Sequence, residues 1–507
     1  MTQALQIPPW DEHNRKLVSC VHPADWVNPL PGERYNLVVV GAGTAGLVSA
    51  VVAAGLGARV ALVERHLMGG DCLNVGCVPS KSLIRAARAF GAVREAGRFG
   101  VRVPEGSRVD FPEVMRRMRS IRSRIAPHDS AQRYADELGV DVYLGEARFT
   151  GPDRLEVAGA ELSFARAIVA TGARAAPPPI EGLGEAGYLT NETLFELTEL
   201  PRRLAVIGAG PIGCEMAQTF RRFGSEVCLF EATDHILPRE DADAARIVQQ
   251  AFERDGVDLV LGASVRRVER AGDSARLFFE REGRSERREV DRILVGVGRA
   301  PNVEGLGLEA AGVEYDARSG VQVDGYLRTS NKRIYAAGDI CLGFKFTHTA
   351  DAAAKIAVQN ALFFRSRKLS DLVVPWCTYT EPEIAHVGMY ERDAEKAGLK
   401  LDTYTVPLAR NDRSLTEGDE EGFVRVHTRK GSDSILGATI VAGHAGEMIS
   451  ELTLAIAGKI GLGRLSGVIH PYPTQSEAIK ATTGDYMRGR LTPGLARLFG
   501  LWMRLRR

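Results

Sequence analysis

The feature that most constrains this chain is a duplication. The run Tyr-Asn-Leu-Val-Val-Val leads into Gly41-Ala-Gly43-Thr-Ala-Gly46, then a helical stretch, then Arg-Val-Ala-Leu-Val ending in Glu64. The same order recurs as Arg-Leu-Ala-Val-Ile, Gly208-Ala-Gly210-Pro-Ile-Gly213 and, further on, Glu-Val-Cys-Leu-Phe ending in Glu231. In both copies the acid stands 18 positions after the third glycine. The first glycine allows a tight turn, the second lets backbone approach a pyrophosphate, and the third packs helix on strand. Unpaired N–H groups and the positive dipole end at the helix start then face the phosphates, while the acid accepts hydrogen bonds from a ribose diol. One G-x-G-x-x-G is a weak signal, but two in βαβ context with equal spacing predict two Rossmann-like dinucleotide-binding domains. Two dinucleotides on one chain imply a hydride passing between them, with flavin and nicotinamide the natural pair. A 2′-phosphate would be repelled by Glu231, and no base follows before Arg239, so NADH is expected over NADPH.

Length and charge bound the rest. A chain of 507 residues exceeds what one hydrophobic core serves, so several domains are expected. With 65 Lys and Arg against 64 Asp and Glu there is no electrostatic case for nucleic acid as the main ligand. Leu37 to Ala58 runs 22 residues without a charge, long enough for a membrane span. Its five glycines and β-branched opening predict instead a buried parallel strand, a turn and a helix. Seven cysteines are sparse and odd in number, and no basic-then-apolar leader opens the chain, so a reducing, cytoplasmic compartment is expected.

After the first nucleotide strand comes Gly69-Gly70-Asp71-Cys72-Leu-Asn-Val-Gly76-Cys77-Val-Pro79-Ser80-Lys81, followed by a helical run. Two cysteines five apart at a helix start can close a short disulfide. Zinc would need two further ligands, and no second Cys or His pair at ligand spacing is present. A static structural disulfide does not suit a reducing compartment. Helix N-termini lower thiol pKa, so the position suits redox exchange. Pro79 is tolerated in a first turn, and Lys81 would share a helix face with Cys77. The remaining Cys20, Cys214, Cys228, Cys341 and Cys377 are scattered and read as small buried hydrophobes.

Together with Ala170-Thr171-Gly172, Gly298-Arg-Ala-Pro-Asn302, Ala336-Ala-Gly338-Asp339 and Pro382-Glu-Ile-Ala-His-Val-Gly388, these segments resemble the flavin-dependent pyridine nucleotide-disulfide oxidoreductases, the group of dihydrolipoyl dehydrogenase, glutathione reductase and mercuric reductase. The resemblance spans Tyr35 to about Ile479. It implies an α/β architecture of two Rossmann-like domains, for FAD and NAD, plus a C-terminal α+β interface domain. The expected divisions are an N-terminal extension over 1–34, an FAD-binding domain over 35–190, an NAD-binding domain over 191–302, a central domain over 303–374 that completes the FAD site, an interface domain over 375–485 and a tail over 486–507. The group forms homodimers that share active sites across the interface.

By position, the resemblance implies that Gly41, Gly43, Gly46 and Glu64 hold the adenosine half of FAD, and that Thr171, Gly172 and Asp339 complete its site. Gly208, Gly210, Gly213 and Glu231 would hold NADH. Lys81 would sit by flavin N5, paired with Glu215. The helix opened by Phe346-Thr-His348 would face the flavin pyrimidine, its dipole favouring negative charge on the reduced ring. Cys77 would take electrons from flavin, and Cys72 would attack the external substrate.

The chain departs from the disulfide-reducing members where they carry His-x-His-Pro-Thr-x-Ser-Glu. Here the run is His470-Pro-Tyr472-Pro-Thr474-Gln-Ser-Glu477, so the orienting Glu is kept as Glu477 and Tyr472 stands at the base position. His titrates near ~6.5 and Tyr near ~10, so a phenol is a poor general base at neutral pH. Disulfide reduction is then expected to be slow unless His470 substitutes. Mercuric reductases also carry Tyr here, but they deliver metal through a C-terminal Cys pair, and this chain ends Leu-Trp-Met-Arg-Leu-Arg-Arg507. Only Cys72 and Cys77 could then ligate a soft metal ion, as two thiolates do for linear Hg(II) or Cu(I).

The leading expectation is an NAD(P)H-dependent flavoenzyme that passes electrons through FAD and Cys72–Cys77 to a thiophilic metal ion such as Hg(II), or else to a small disulfide as in dihydrolipoyl dehydrogenase. A membrane-surface quinone or O₂ reductase and a nucleotide- and thiol-bearing sensor without turnover are the alternatives. Residues 1–34 are expected to pack on the body. After Asp485 there are six Arg and no acid, with Leu495, Leu498, Phe499 and Trp502 on one helical side. Such a helix either docks on the dimer, the preferred reading, or touches an anionic membrane surface.

Overall fold

The computed structural model describes residues 5–507, so the first four residues of the expected N-terminal extension lie outside the described residues. The polypeptide forms two compact units. One comprises the residues up to Asp234 together with Gly256–Leu372, the other His235–Asp255 together with Val373–Arg507.

The duplicated motif builds the first unit. Strands Tyr35–Val40 and Val60–Glu64 pair in parallel, Leu37 opposite Val60 and Val40 opposite Val63. Helix Thr44–Gly55 makes the crossover. Asp141–Leu144 adds on one side, Ala160–Val169 on the other, and Ile334–Ala336 pairs with the last of these, all in parallel. Five of the six residues of Tyr35–Val40 are buried, because helices and loops cover both faces of a parallel sheet. The long uncharged stretch is therefore a strand, a turn and a helix. Among the described residues no helix is long and apolar enough to cross a membrane.

The second copy repeats the plan, with Arg203–Ile207 and Glu226–Phe230 in parallel register, flanked by Asp258–Val260 and Arg292–Val295. Helix Pro211–Phe223 connects its first two strands. The antiparallel strands Ala263–Ala271, Ser274–Arg281 and Arg284–Val290 lie against it. Phe279 from this small sheet meets Phe230 edge to face at 5.0 Å, joining the two into one core.

The second unit is α+β. Its antiparallel sheet runs in the spatial order Pro375–Thr378, Glu383–Gly388, Ile435–Ala442, Phe423–Arg429 and Leu401–Pro407. Met448, Ile449 and Leu452 of helix Ala445–Ala457 and Ile479 and Tyr486 of helix Glu477–Arg490 join the sheet's buried residues in one core. Glu240 ties His235–Asp255 into this unit: its buried carboxylate accepts hydrogen bonds from Trp376 and Tyr390.

The N-terminal extension packs as expected, burying Leu17, Val18 and Val21 of helix Glu12–Val21. It also reaches the redox segment. The Asn14 side chain accepts from Arg122 at 2.6 Å, and Arg122 donates at 2.6 Å to the carbonyl of Asn74, the last residue of the helix that carries Cys72. Burial lowers the Arg122 guanidinium to about 10, so this cation is held by neutral acceptors inside the core.

Candidate active site

The two glycine turns have the same geometry. A Cβ on Gly46 would stand 1.7 Å from the Gly41 carbonyl oxygen, and one on Gly213 would stand 1.9 Å from that of Gly208. The third glycine is thus required by the helix packing back onto its own turn. The second glycine differs: at Gly43 the nearest atom to such a Cβ is 3.7 Å away, and at Gly210 nothing lies within 4 Å. The open space lies before a helix whose N-cap is that same glycine, with no side chain capping it. Elsewhere in the molecule Asp11, Asp110, Ser130, Asn411 and Thr492 cap their helices with side-chain oxygens. The two nucleotide helices keep their first N–H groups for a ligand, and a dinucleotide pyrophosphate fits this donor set.

The paired acids are held alike. Glu64 accepts from the backbone N–H groups of Ala42 at 2.7 Å and His66 at 2.8 Å, and Glu231 from those of Ala209 at 2.8 Å and Thr233 at 3.1 Å. Each carboxylate ties the glycine turn to the end of the second strand, which fixes its position beside the turn. Burial pushes the Glu64 carboxyl upward, against the pull of these two N–H groups. Thr171 and Gly172 are locked to the Gly298–Asn302 segment. The Thr171 hydroxyl donates to the Asn302 carbonyl at 2.9 Å, the Asn302 side chain returns a bond to the Thr171 carbonyl at 2.8 Å, and Asn302 N donates to Gly172 O at 3.0 Å. Arg299 in that segment donates to Asp71, the neighbour of Cys72, and lies 3.7 Å from Asp339. Burial raises the Asp339 carboxyl, and Arg299 opposes the shift.

The cysteine-bearing segment begins with a short helix, Gly70–Asn74, that carries Cys72, and continues into helix Cys77–Glu95. Cys77 is the first residue of that 19-residue helix, whose N-cap Gly76 supplies no side-chain bond. Both sulfurs are free thiols here, Cys72 half-buried and Cys77 exposed. The neighbouring Cys72 thiol is the main influence that draws Cys77 below the ordinary thiol range, and the Thr347 hydroxyl, 3.5 Å from the sulfur, and the Lys81 ammonium act in the same direction. Cys72 moves the other way: its neighbour Cys77 and its own burial both push it up. Of the two thiols, Cys77, which opens the long helix, is the one drawn down, and Cys72 is the one that holds its proton.

Lys81 lies one turn along from Cys77 and donates to Glu215 at 2.8 Å, so the structure brings together two residues 134 positions apart. The Glu215 side chain is 6% exposed and Lys81 37%, so the cation keeps one side open while its partner is buried. Helix Thr347–Leu362, N-capped by Phe346 without a side-chain bond, presents its uncapped start to Cys77. His348 stacks on Phe346 with ring centres 5.3 Å apart.

Thr347 was not legible as a site residue, since a hydroxyl at a helix start usually reads as a cap. Replacing it with Val keeps the shape and removes one stabilising bond to the Cys77 thiolate. Such a bond to a charged group is worth about 1.5–3 kcal/mol, so the ionisation midpoint is expected to rise by about one pH unit or more. The ultraviolet thiolate absorbance of the reduced protein, titrated between pH 4 and 10, measures it. An unchanged midpoint would remove Thr347 from the account.

In the second unit the Tyr472 hydroxyl is well exposed and donates to Asp412 at 3.0 Å, not to Glu477. That bond and the Asp412 charge raise its pKa further above the phenol value. Glu477 opens helix Glu477–Arg490 and accepts from Thr474 N at 3.4 Å. His470 is engaged by Glu451 at 2.9 Å, and its side chain is 6% exposed. Among the described residues no cluster of three or more His, Cys, Asp or Glu could hold a metal ion.

Comparison with known proteins matches residues 35–354 to the pyridine nucleotide-disulphide oxidoreductase family description and residues 374–483 to that family's dimerisation domain. The chain is 35% identical over 446 residues to a mercuric reductase of Bacillus cereus, covering 88% of this chain and 70% of that protein. It is 36% identical over 450 residues to a dihydrolipoyl dehydrogenase of Thermus scotoductus, covering 88% and 96%. Among solved structures it is similar to the Cu(II) complex of an HOCl-induced flavoprotein disulfide reductase from Escherichia coli, with a TM-score of 0.80 and 29% identity over 89% of this chain and 99% of that one.

Proposed function

The chain belongs to the pyridine nucleotide-disulphide oxidoreductase family, and on that premise we propose that it takes two electrons from NADH and delivers them at Cys72 and Cys77 to a thiophilic metal ion, with Hg(II) the type acceptor. FAD, when bound in the Gly41–Gly46 cradle, supplies the two-electron carrier between nicotinamide and the thiols. Gly43 and the uncapped N–H groups of Thr44–Gly55 would hold its pyrophosphate, Glu64 its ribose, and Asp339 with Thr171 and Gly172 the middle of the molecule. Gly208, Gly210, Gly213 and Glu231 would hold NADH in the second cradle, and the absence of a base between Glu231 and Asp234 favours it over NADPH.

Cys77, drawn down by its neighbour Cys72 and further by the Thr347 hydroxyl and the Lys81 ammonium, acts as the inner thiolate. Cys72 keeps its proton until it meets the acceptor, and binding a soft metal ion there releases that proton. Two thiolates then ligate the ion, and two electrons reduce Hg(II) to Hg(0) while NADH becomes NAD⁺ and H⁺. In this reading the protein would work as a homodimer with active sites shared across the subunit interface, to which Tyr472 and Glu477 of the interface domain would contribute.

The observation that carries the choice of acceptor is Tyr472. A disulfide acceptor must be given protons as it leaves, and a phenol whose pKa is raised by Asp412 neither takes nor gives them readily at pH 7. A metal ion needs none. His470 does not fill the gap, because its imidazole is enclosed and bound to Glu451. The mercuric reductase relative supports a metal acceptor. The dihydrolipoyl dehydrogenase relative makes a small disulfide the second reading.

Steady-state anaerobic NADH oxidation by the flavin-loaded protein separates these acceptors. Thiol-complexed Hg(II) is expected to turn over, with oxidised lipoamide slower by about 10²-fold or more. Lipoamide turnover equal to or above that of Hg(II) would reverse the assignment.

A further inference from the structure

The last helix, Pro493–Leu505, is an apolar surface that the redox chemistry leaves unused. It is a well-formed helix: Thr492 caps it, accepting from Leu495 N at 3.3 Å, and Pro493 opens its first turn. None of its residues is buried in the protomer. Leu498, Leu501, Trp502, Met503 and Leu505 are between 53% and 77% exposed. At 3.6 residues per turn these side chains, with Leu495 and Phe499, cover roughly 200° of the helix. A helix that packs on a globular core needs a stripe of only about 100°.

The charge is as one-sided as the apolar surface. From Tyr486 to Arg507 there are six Arg and neither acid nor Lys. Among the described residues only Arg488 of the six forms an ion pair, with Asp485. Arg497 and Arg504 edge the apolar arc, and Arg506 lies over the Trp502 ring at 5.1 Å. The matched family domains end at residue 483, so this helix stands outside them. Packing the same helix from a second copy against it would set arginine opposite arginine.

We propose that residues 491–507 bind an anionic phospholipid surface, with helix Pro493–Leu505 lying in the interfacial plane. Leu498, Leu501 and Leu505 enter the boundary of the acyl chains, Trp502 sits at headgroup level, and the arginines meet lipid phosphates. The helix is too short to cross the bilayer, so the attachment is reversible and falls with salt.

Co-sedimentation of the full-length, flavin-loaded protein with vesicles tests this. Binding to vesicles of 30% phosphatidylglycerol in phosphatidylcholine is expected to exceed binding to pure phosphatidylcholine by at least about tenfold, and to be lost in 0.5 M salt. Either Arg497→Glu with Arg504→Glu, or Leu498→Gln with Trp502→Ser, is expected to abolish it while NADH oxidation is unchanged. Equal binding to both vesicle types, or none, would overturn the proposal. So would dissociation of the dimer by Leu498→Gln with Trp502→Ser, measured by sedimentation velocity, since the face would then belong to the partner subunit. Binding to anionic vesicles that survives that double replacement would also overturn it, since the apolar face would have no part.

Discussion

Cys72→Ala is expected to drop acceptor-dependent NADH oxidation by more than about 10²-fold while the flavin content stays unchanged. Two effects act together. The nucleophile and metal ligand is lost, and so is the neighbouring thiol that does most to draw Cys77 down. Without it Cys77 moves back up towards the ordinary thiol range. Because a thiol ionises as pH rises, the thiolate present at pH 7 in the parent protein then appears only at higher pH. Stopped-flow NADH oxidation and the thiolate absorbance read the two effects separately. Retained turnover with a quinone or O₂ would favour exit of electrons at another site, with the cysteines in a regulatory role. Full retention with Hg(II) would contradict the assignment of Cys72.

Tyr472→His is expected to raise lipoamide turnover by about 10²-fold or more. The Asp412 carboxylate already accepts from the residue at this position at 3.0 Å. An imidazole placed there would acquire a carboxylate partner that favours its protonated form. Its turnover with the disulfide should therefore show a pH limb at or above ~6.5, which the parent protein lacks. Glu477 lies too close in sequence to be ignored, so Tyr472→His combined with Asp412→Asn identifies which acid orients the ring. No gain in lipoamide turnover would mean that something other than the missing base limits disulfide reduction.

The sequence was most informative where chemistry is written locally. Both nucleotide cradles could be read because the turn, the close helix packing and the acid occupy one short βαβ stretch. The structure adds that Glu64 and Glu231 also bind the backbone of their own turns, which spacing alone does not reveal. Lys81 and Glu215 were paired only through resemblance, since no local pattern links residues 134 positions apart. Asp412 and Glu451 were not legible at all, and Arg299 and Thr347 lay in segments read only through the resemblance, without a role of their own. Each acquires its place by tertiary packing, and none carries a spacing that marks it. The split between Cys72 and Cys77 was half-legible: a helix start lowers a thiol, but which sulfur occupies that start depends on where Gly70–Asn74 ends. For the C-terminal helix, periodicity showed the apolar side, and the coordinates show that all of that side is exposed in the protomer.

The central claim, that electrons from NADH leave through the two thiols to a thiophilic metal ion, is tested most directly by its product. The flavin-loaded protein is incubated anaerobically with NADH and thiol-complexed Hg(II), and the volatile Hg(0) is trapped and counted against NADH consumed. One mercury atom is expected to be released per NADH, with none released by Cys72→Ala. NADH consumed without Hg(0), with the metal retained on the protein as a dithiolate, would contradict it.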